Sequence, residues 1–308
     1  ALDFIISELQ AIIPDLPNGP AKIANKNAAR VLLMKCYLNK GVWATNASRL
    51  NPTFAAADMN QVISLADQII NSGLYSFPSN YFDNFAPTNG TIGSENIFTQ
   101  ENIGGVQAGN LQSRWRSTMH YNQNPGGWNG FTTLSDFYGK FEAADKRRGV
   151  NYPTAGGPPN PGNRQTVGLF LGQQYDLTTN ASLQDRTGAP LAFTAAVKSI
   201  EVGSNLEVTG IRAFKYPIDY VNTGAGSIDN DYVYFRLADV LLMKAEAILR
   251  GGTGTVAGSY GSTAVALVNS VRTHSSRGAS ALASVTLDQL LDERARELYW
   301  EGHRRTDL

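Results

Sequence analysis

Apolar side chains recur at helical spacing through the first part of the chain. In three segments they fall at positions i, i+3, i+4 and i+7, which line up along one face of an α-helix. These segments cover residues 2–13, 22–40 and 53–72. Pro14 is expected to end the first helix, and Gly41 and Gly73 the second and third. Regular helices joined by short turns predict an array of helical hairpins of the tetratricopeptide kind.

The helical pattern fades between residues 80 and 230 and returns from Asp231 to the end of the chain. The middle segment holds twenty of the 30 glycines and eight of the 13 prolines, too many for continuous helix or strand. Long irregular segments inside a compact domain are usually functional. The sequence therefore predicts a mainly α fold, with a helical scaffold from residues 1–79 and 231–308 and a loop-rich, ligand-facing insertion over residues 80–230.

The two helical blocks are expected to share one core, because neither is long enough to bury its own apolar stripe. On the same pattern, Leu241, Leu291 and Leu298 are predicted to be buried.

The insertion contains the candidate ligand-binding segment, Arg114–Arg148, in which aromatic side chains are interleaved with neutral amides and glycines. Sugar rings present an apolar C–H face and a rim of hydroxyls. A site for them needs flat aromatic platforms and amides that both donate and accept hydrogen bonds. The residues predicted to bind ligand on this ground are Trp128, Asn129, Tyr121, Asn122 and Trp115.

Packing is the main alternative for these residues. Trp115 lies between two arginines, and a tryptophan in loop-rich sequence often forms a small core of its own. Trp128 and Asn129 together are flanked by glycine on both sides. Gly126 and Gly127 would let the backbone turn sharply and leave Trp128 projecting, so this residue is the strongest candidate.

Composition excludes several classes of function. The 26 Lys and Arg residues balance the 26 Asp and Glu residues, so there is no electrostatic footprint for nucleic acid or anionic lipid. No apolar run approaches the roughly 20 residues that span a bilayer. Cys36 is the only cysteine, which excludes an intrachain disulfide. The three histidines are scattered, and no cofactor or metal is predicted.

The sequence contains no nucleophile elbow, phosphate loop or zinc-binding motif. Glu293, Glu297 and Glu301 share one helix face at i, i+4 spacing, but arginines are interleaved with them. A catalytic carboxyl would need an apolar setting that raises its pKa. We therefore interpret these carboxylates as structural ion-pair partners and predict that the protein is not an enzyme.

Three motifs near the C-terminus carry a resemblance to a known family. They are R-x-A-D-V-L-L-M-x-A-E-A at Arg236–Ala247, V-N-x-V-R at Val268–Arg272 and E-R-x-R-E-L-x-x-E-G-x-R at Glu293–Arg304. Together with S-E-N-I-F at Ser94–Phe98 and the helices of residues 22–73, they resemble the SusD/RagB family. Its members are non-enzymatic outer-membrane lipoproteins that hand glycans or peptides to a TonB-dependent transporter.

The resemblance implies a single SusD-like domain over residues 1–308, truncated at both ends, with tetratricopeptide-like repeats. It implies a surface-exposed outer-membrane location, an N-terminal lipid anchor outside this chain and a SusC-like transporter as partner. The predicted function is binding of an extracellular glycan and its delivery to that transporter. A repeat-type protein adaptor, or a SusD-like binder of a peptide or other non-sugar nutrient, stays open as an alternative. A glycoside hydrolase comes third.

Overall fold

Helices dominate the regular structure in the computed structural model, which describes residues 1–44, 50–107, 109–197, 202–223 and 226–308. The helices are α1 (Leu2–Ile12), α2 (Lys26–Ala44), α3 (Ala56–Asn71), α4 (Asn89–Ile92), α5 (Ser113–Arg116), α6 (Ser135–Tyr138), α7 (Leu237–Leu249), α8 (Ala264–Arg272), α9 (Leu287–Leu298) and α10 (Arg304–Asp307). Short 3₁₀ helices cover Ile13–Asp15, Tyr81–Phe85, Lys146–Arg148 and Gly203–Glu207. Within the described ranges, no helix has both the length and the apolarity needed to cross a bilayer.

The strands are short and form three small sheets. They are β1 (Asn96–Gln100), β2 (Gly149–Val150), β3 (Val167–Phe170), β4 (Gly172–Gln173), β5 (Ala192–Phe193), β6 (Arg212–Phe214) and β7 (Tyr232–Arg236). β1 pairs with β7, β3 lies between β2 and β6 in an antiparallel sheet, and β4 pairs with β5. The predicted mainly α class is confirmed.

The chain divides into two compact units. Unit 1 consists of Ala1–Ser79, Ser94–Gln100 and Val233–Leu308, and unit 2 of Asn80–Gly93 and Glu101–Tyr232. The longer helices all belong to unit 1, whereas unit 2 contains the loop-rich segment and the sheets β2–β3–β6 and β4–β5. The single-domain organisation stays a prediction.

Unit 1 is a stack of helices around a shared apolar core. α2 packs against α1 and α3, α3 packs against α7, and α7 packs against α8 and α9. Leu241 and Leu298 are buried as predicted, but the prediction for Leu291 is wrong because that residue is only half-buried. The register of α9 places the neighbouring Leu290 on the inner face instead.

One of the two glycines predicted to end a helix follows the end of its helix, and the other lies within its helix. Gly73 follows the end of α3, as predicted. The prediction for Gly41 is wrong, because α2 continues through it to Ala44. A Cβ at position 41 would lie 2.0 Å from the carbonyl oxygen of Thr53, so glycine is needed here for close approach of another segment.

The signature carboxylates of unit 1 form a buried ion cluster. The Arg236 guanidinium lies 2.8 Å from both Glu95 and Glu301, and it also pairs with Glu297. Arg277 contacts Glu95 at 2.8 Å and Glu297 at 2.7 Å. All five side chains are buried. The predicted ion pairing is confirmed, and its burial makes it a part of the core.

Glu293 is the centre of a second group of buried ion pairs in unit 1. Its carboxylate pairs with Arg272 at 2.6 Å and with Arg296 at 2.7 Å. A carboxylate paired with two guanidinium groups is not in the apolar setting that a general acid needs.

Candidate functional site

A tight loop in unit 2 carries most of the residues predicted to bind ligand. It leaves the short helix α5 and folds back onto it through backbone hydrogen bonds. The N–H groups of Trp128 and Asn129 donate to the carbonyls of Arg116 and Met119, at 2.6 and 2.8 Å. Gly127 lies so close to Met119 that a Cβ there would be 2.2 Å from its carbonyl oxygen. Because the backbone at Gly127 packs so closely against Met119, the next residue, Trp128, lies on the outside of the loop.

Trp128 has the exposure expected of a binding platform. Its side chain is 53% exposed, and Phe131 and Leu134, further along the same segment, are 62% and 55% exposed. Isolated exposed apolar residues are common on protein surfaces, but three within seven positions are informative. This segment presents flat apolar surface to solvent.

Trp115 does not share this exposure, which corrects its predicted role. Its side chain is 0% exposed and belongs to the core of unit 2. The buried residues of that core are Trp115, Met119, Phe170, Leu191, Phe193, Phe214 and Ile218. A fully buried ring offers no face to a ligand, so Trp115 is a packing residue.

The amide of Asn129 is engaged inside the protein. Asn129 has a positive φ of 53°, and its Nδ2 donates to the backbone carbonyl of Glu207 at 3.1 Å. Its Oδ1 accepts from Nη2 of the buried Arg212 at 2.7 Å. Since both ends of the amide hold the loop in place, Asn129 positions Trp128. Its contact with a ligand stays a prediction.

Tyr121 and Asn122 lie at the surface. The Tyr121 ring is 42% exposed, and the guanidinium carbon of Arg186 lies 4.4 Å from its centroid. Asn122 donates through Nδ2 to the carbonyl of Gln184 at 2.8 Å. One face of Tyr121 is therefore covered by a cation, and the oxygen of the Asn122 amide accepts no hydrogen bond from the residues that the structure describes.

His120 anchors the base of this loop. Its Nδ1 accepts from the Asn122 backbone N–H at 3.0 Å, and its Nε2 lies 3.0 Å from the Glu207 carboxylate. Burial lowers the pKa of His120, although the hydrogen bond to Glu207 opposes this effect. The neutral ring donates through Nε2 to Glu207. Glu207 in turn pairs with Arg186, which covers Tyr121.

Unit 2 also contains a pocket of about 180 Å³, which we call the amide pocket. Its polar lining includes Asn122, Gln123, Asn124, Arg164, Gln165, Thr166, Gln173, Gln174, Tyr175, Asp176 and Thr178. Its apolar lining includes Met119, Phe170, Leu183, Phe214 and Ile218, which belong to or pack against the unit 2 core. The loop segment 122–124 thus borders the pocket, whereas Trp128 is not part of its wall.

Several polar groups of the amide pocket are available to a ligand. Asn124 makes no side-chain hydrogen bond to any described residue, and the Tyr220 hydroxyl makes none either. Burial raises the pKa of Tyr220 to about 12, so the hydroxyl keeps its proton and can donate. Neutral amides and hydroxyls above an apolar wall suit a small polyhydroxylated ligand.

No metal centre is formed by the residues that the structure describes. Among them, no three His, Cys, Asp or Glu side chains come together as metal ligands. The buried thiol of Cys36 lies in the core of unit 1.

Comparison with known proteins places the chain in a family. The model of the SusD family matches residues 94–308. This chain belongs to the SusD family. Over 80 residues it is 40% identical to the starch-binding protein SusD of Bacteroides thetaiotaomicron, a match that covers 26% of this chain and 13% of that protein.

Solved structures share the SusD-family fold. A SusD superfamily protein from Parabacteroides distasonis has a TM-score of 0.66 at 15% identity, over 96% of this chain and 55% of that one. A protein crystallised with a xylogluco-oligosaccharide has a TM-score of 0.61 at 19% identity, over 97% of this chain and 54% of that one. The chain spans about half the length of these relatives.

The SusD-family signature and the candidate site occupy different units. The signature residues Glu95, Arg236 and Glu297 meet in the buried ion cluster of unit 1. The loop and the amide pocket lie in unit 2. Sequence reasoning found the loop through its aromatic residues but missed Arg164, Gln165 and Gln173, because neutral amides scattered through irregular sequence give no spacing signal.

Proposed function

We propose that unit 2 binds an extracellular glycan. The observation that carries this proposal is the loop that exposes Trp128 and also contributes Asn122, Gln123 and Asn124 to a pocket with an apolar wall. An exposed ring can stack on the apolar face of a sugar while amides bind its hydroxyls. A relative named as starch-binding and a neighbour crystallised with a xylogluco-oligosaccharide support a sugar as the ligand class.

In the whole protein, we propose that this binding occurs at the cell surface. A lipid anchor on a segment N-terminal to this chain would hold the protein to the outer membrane, and a SusC-like TonB-dependent transporter would receive the glycan. Membership of the SusD family supports both roles. The helix pairs α2–α3 and α7–α8 are proposed to be tetratricopeptide-like hairpins of one SusD-like domain, in keeping with their pairwise packing.

The proposed role is binding without hydrolysis. Glu293, Glu297 and Glu301 are committed to arginines in buried ion pairs. A bound oligosaccharide should therefore be recovered uncleaved.

A protein ligand is the second candidate, and one feature of unit 1 favours it. Helix α1 exposes the apolar side chains of Phe4, Ile5 and Ile12, and exposed apolar side chains of this kind can be covered by a protein partner. A repeat-type adaptor would bind there. A SusD-like protein that captures a peptide would instead use unit 2.

Replacing Trp128 with alanine tests the glycan proposal. The Trp128→Ala variant is expected to bind glycan at least about tenfold more weakly, or about 1.4 kcal/mol, because stacking removes apolar area of both partners from water. Its melting temperature should stay unchanged, since the ring contributes little to the core. Isothermal titration with a glycan bound by the parent protein measures the first quantity, and thermal unfolding the second.

Trp43 supplies a matched control, because it is 56% exposed and lies on α2 in unit 1. Trp43→Ala should leave glycan affinity unchanged. Equal losses in the two variants, or a sharp fall in melting temperature for Trp128→Ala with affinity intact, would rule out Trp128 as a platform.

A further inference from the structure

We propose that the amide pocket binds a hexuronic acid unit of an acidic glycan and that Arg164 recognises its carboxylate. This inference rests on the proposed glycan-binding function and adds the class of sugar. The observation behind it is the environment of Arg164 in the pocket wall. Neighbouring side chains hold its guanidinium in place, but no described carboxylate pairs with it.

The Arg164 side chain is held from two directions. Its Nε donates to Oδ1 of Asn180 at 2.8 Å, and the guanidinium carbon lies 3.5 Å from the centroid of the Tyr175 ring. Its backbone is fixed by Asn160, which accepts from the Arg164 N–H at 2.9 Å and donates to its carbonyl at 2.8 Å. A guanidinium stacked on a ring loses little conformational freedom when it binds a ligand.

The two terminal nitrogens of the Arg164 guanidinium, Nη1 and Nη2, are not used by the described part of the protein. Within the described part of the chain, no oxygen accepts a hydrogen bond from Nη1 or Nη2, and no carboxylate forms an ion pair with the group. Asp176, the acidic residue of the pocket wall, directs Oδ1 at the backbone N–H groups of Thr178 and Thr179. The two free nitrogens of Arg164 match the two oxygens of a carboxylate.

Three amides of the pocket wall present their oxygen atoms as acceptors. Asn122, Gln165 and Gln173 each use their amide nitrogen to donate to a backbone carbonyl of the protein. Their amide oxygens accept no hydrogen bond from any described residue. Hydroxyl groups have protons to give to these oxygens and a carboxylate has none, so these three oxygens suit the hydroxyls of a sugar and not its carboxylate.

This arrangement fits a sugar acid better than a neutral sugar. In a hexuronic acid, the hydroxyls would donate to the amide oxygens while the carboxylate meets Arg164. A neutral hexose would place a hydroxymethyl group opposite the cation. The cavity of about 180 Å³ is below the roughly 300 Å³ at which pockets for drug-sized ligands begin, so it suits one sugar ring.

Calorimetric titration of the protein with matched ligands tests the inference. The ligands are trisaccharides of galacturonate, glucuronate and mannuronate, each compared with the same trisaccharide after reduction of its carboxylates to hydroxymethyl groups. At least one acidic form is expected to bind at least about tenfold more tightly than its reduced form. Added salt should reduce the difference in affinity between the acidic and the reduced trisaccharide, because salt screens an ion pair at a partly exposed site.

Variants of Arg164 assign the preference to the pocket. Arg164→Gln should abolish the preference for the acidic form, and Arg164→Lys should reduce it, because lysine keeps the charge but loses the planar fork. Arg250→Gln removes one positive charge from an α7–loop boundary in unit 1 and should leave the preference intact. If Arg164→Gln lowers the melting temperature, its lost preference can result from unfolding. The Arg164→Lys variant then tests whether the guanidinium itself recognises the acidic form.

Two results would overturn the inference while glycan binding itself stands. One is tight binding of neutral glycans with no preference for any acidic trisaccharide, and the other is an unchanged preference in both Arg164 variants. If neither acidic nor neutral glycans bind the parent protein, the proposed function fails as well.

Discussion

Replacing Arg236 with methionine is expected to lower the free energy of unfolding of unit 1 by about 3–5 kcal/mol. Arg236 is the cation that Glu95, Glu297 and Glu301 all contact in the buried ion cluster. Without it, Glu95 and Glu297 still pair with Arg277, but all three buried carboxylates lose an ion-pair partner, and the cost of their desolvation is less well offset. Urea unfolding followed by far-UV circular dichroism, which reports on the helices, measures the effect.

Arg250→Met is the matched control for this variant. Arg250 pairs with Glu246 at i, i+4 spacing on α7, and both side chains are partly exposed. Such a pair contributes less than about 1 kcal/mol. If Arg236→Met cost no more than Arg250→Met, the buried cluster would not stabilise the scaffold.

Replacing Trp115 with alanine is expected to destabilise unit 2 by about 3–5 kcal/mol, the usual cost of removing a buried aromatic ring. Trp115 packs in the same core as Phe170 and Phe214, which also line the amide pocket. Glycan affinity should therefore fall together with stability. Intrinsic fluorescence and thermal unfolding, measured beside a binding titration, separate the two quantities.

The contrast with Trp128 makes the Trp115 prediction specific. Trp128→Ala should lose affinity at unchanged stability, whereas Trp115→Ala should lose both. A Trp115→Ala protein with the parent's melting temperature would show that the ring is not part of the core.

The regular part of the fold was predictable from the sequence because its signals are local. Apolar spacing alone is enough to find α2 and α3. The predictions that Gly41 ends α2 and that Leu291 is buried are wrong because residues far along the chain decide both features. The contact of Gly41 with Thr53 and the register of α9 both depend on how helices pack against distant segments.

The candidate site was only partly predictable, for the same physical reason. Trp115 and Trp128 both lie in loop-rich sequence. The flanking glycines favour exposure of Trp128, but no local signal decides that the Trp115 ring is buried. Trp115 is buried by Phe193 and Phe214, which follow it by many residues. Arg164 is a candidate because its guanidinium stacks on Tyr175 while Nη1 and Nη2 stay unused by the described residues, and neither feature can be read from the sequence.

The most direct test of glycan binding by unit 2 is a glycan-array screen of the protein, followed by titration of the strongest ligand into the parent protein and Trp128→Ala. We predict that the protein retains a defined class of oligosaccharide or polysaccharide, does not cleave it, and loses at least about tenfold in affinity when Trp128 is removed. Retention of no glycan on the array, with binding of peptides in a parallel screen, would contradict the account.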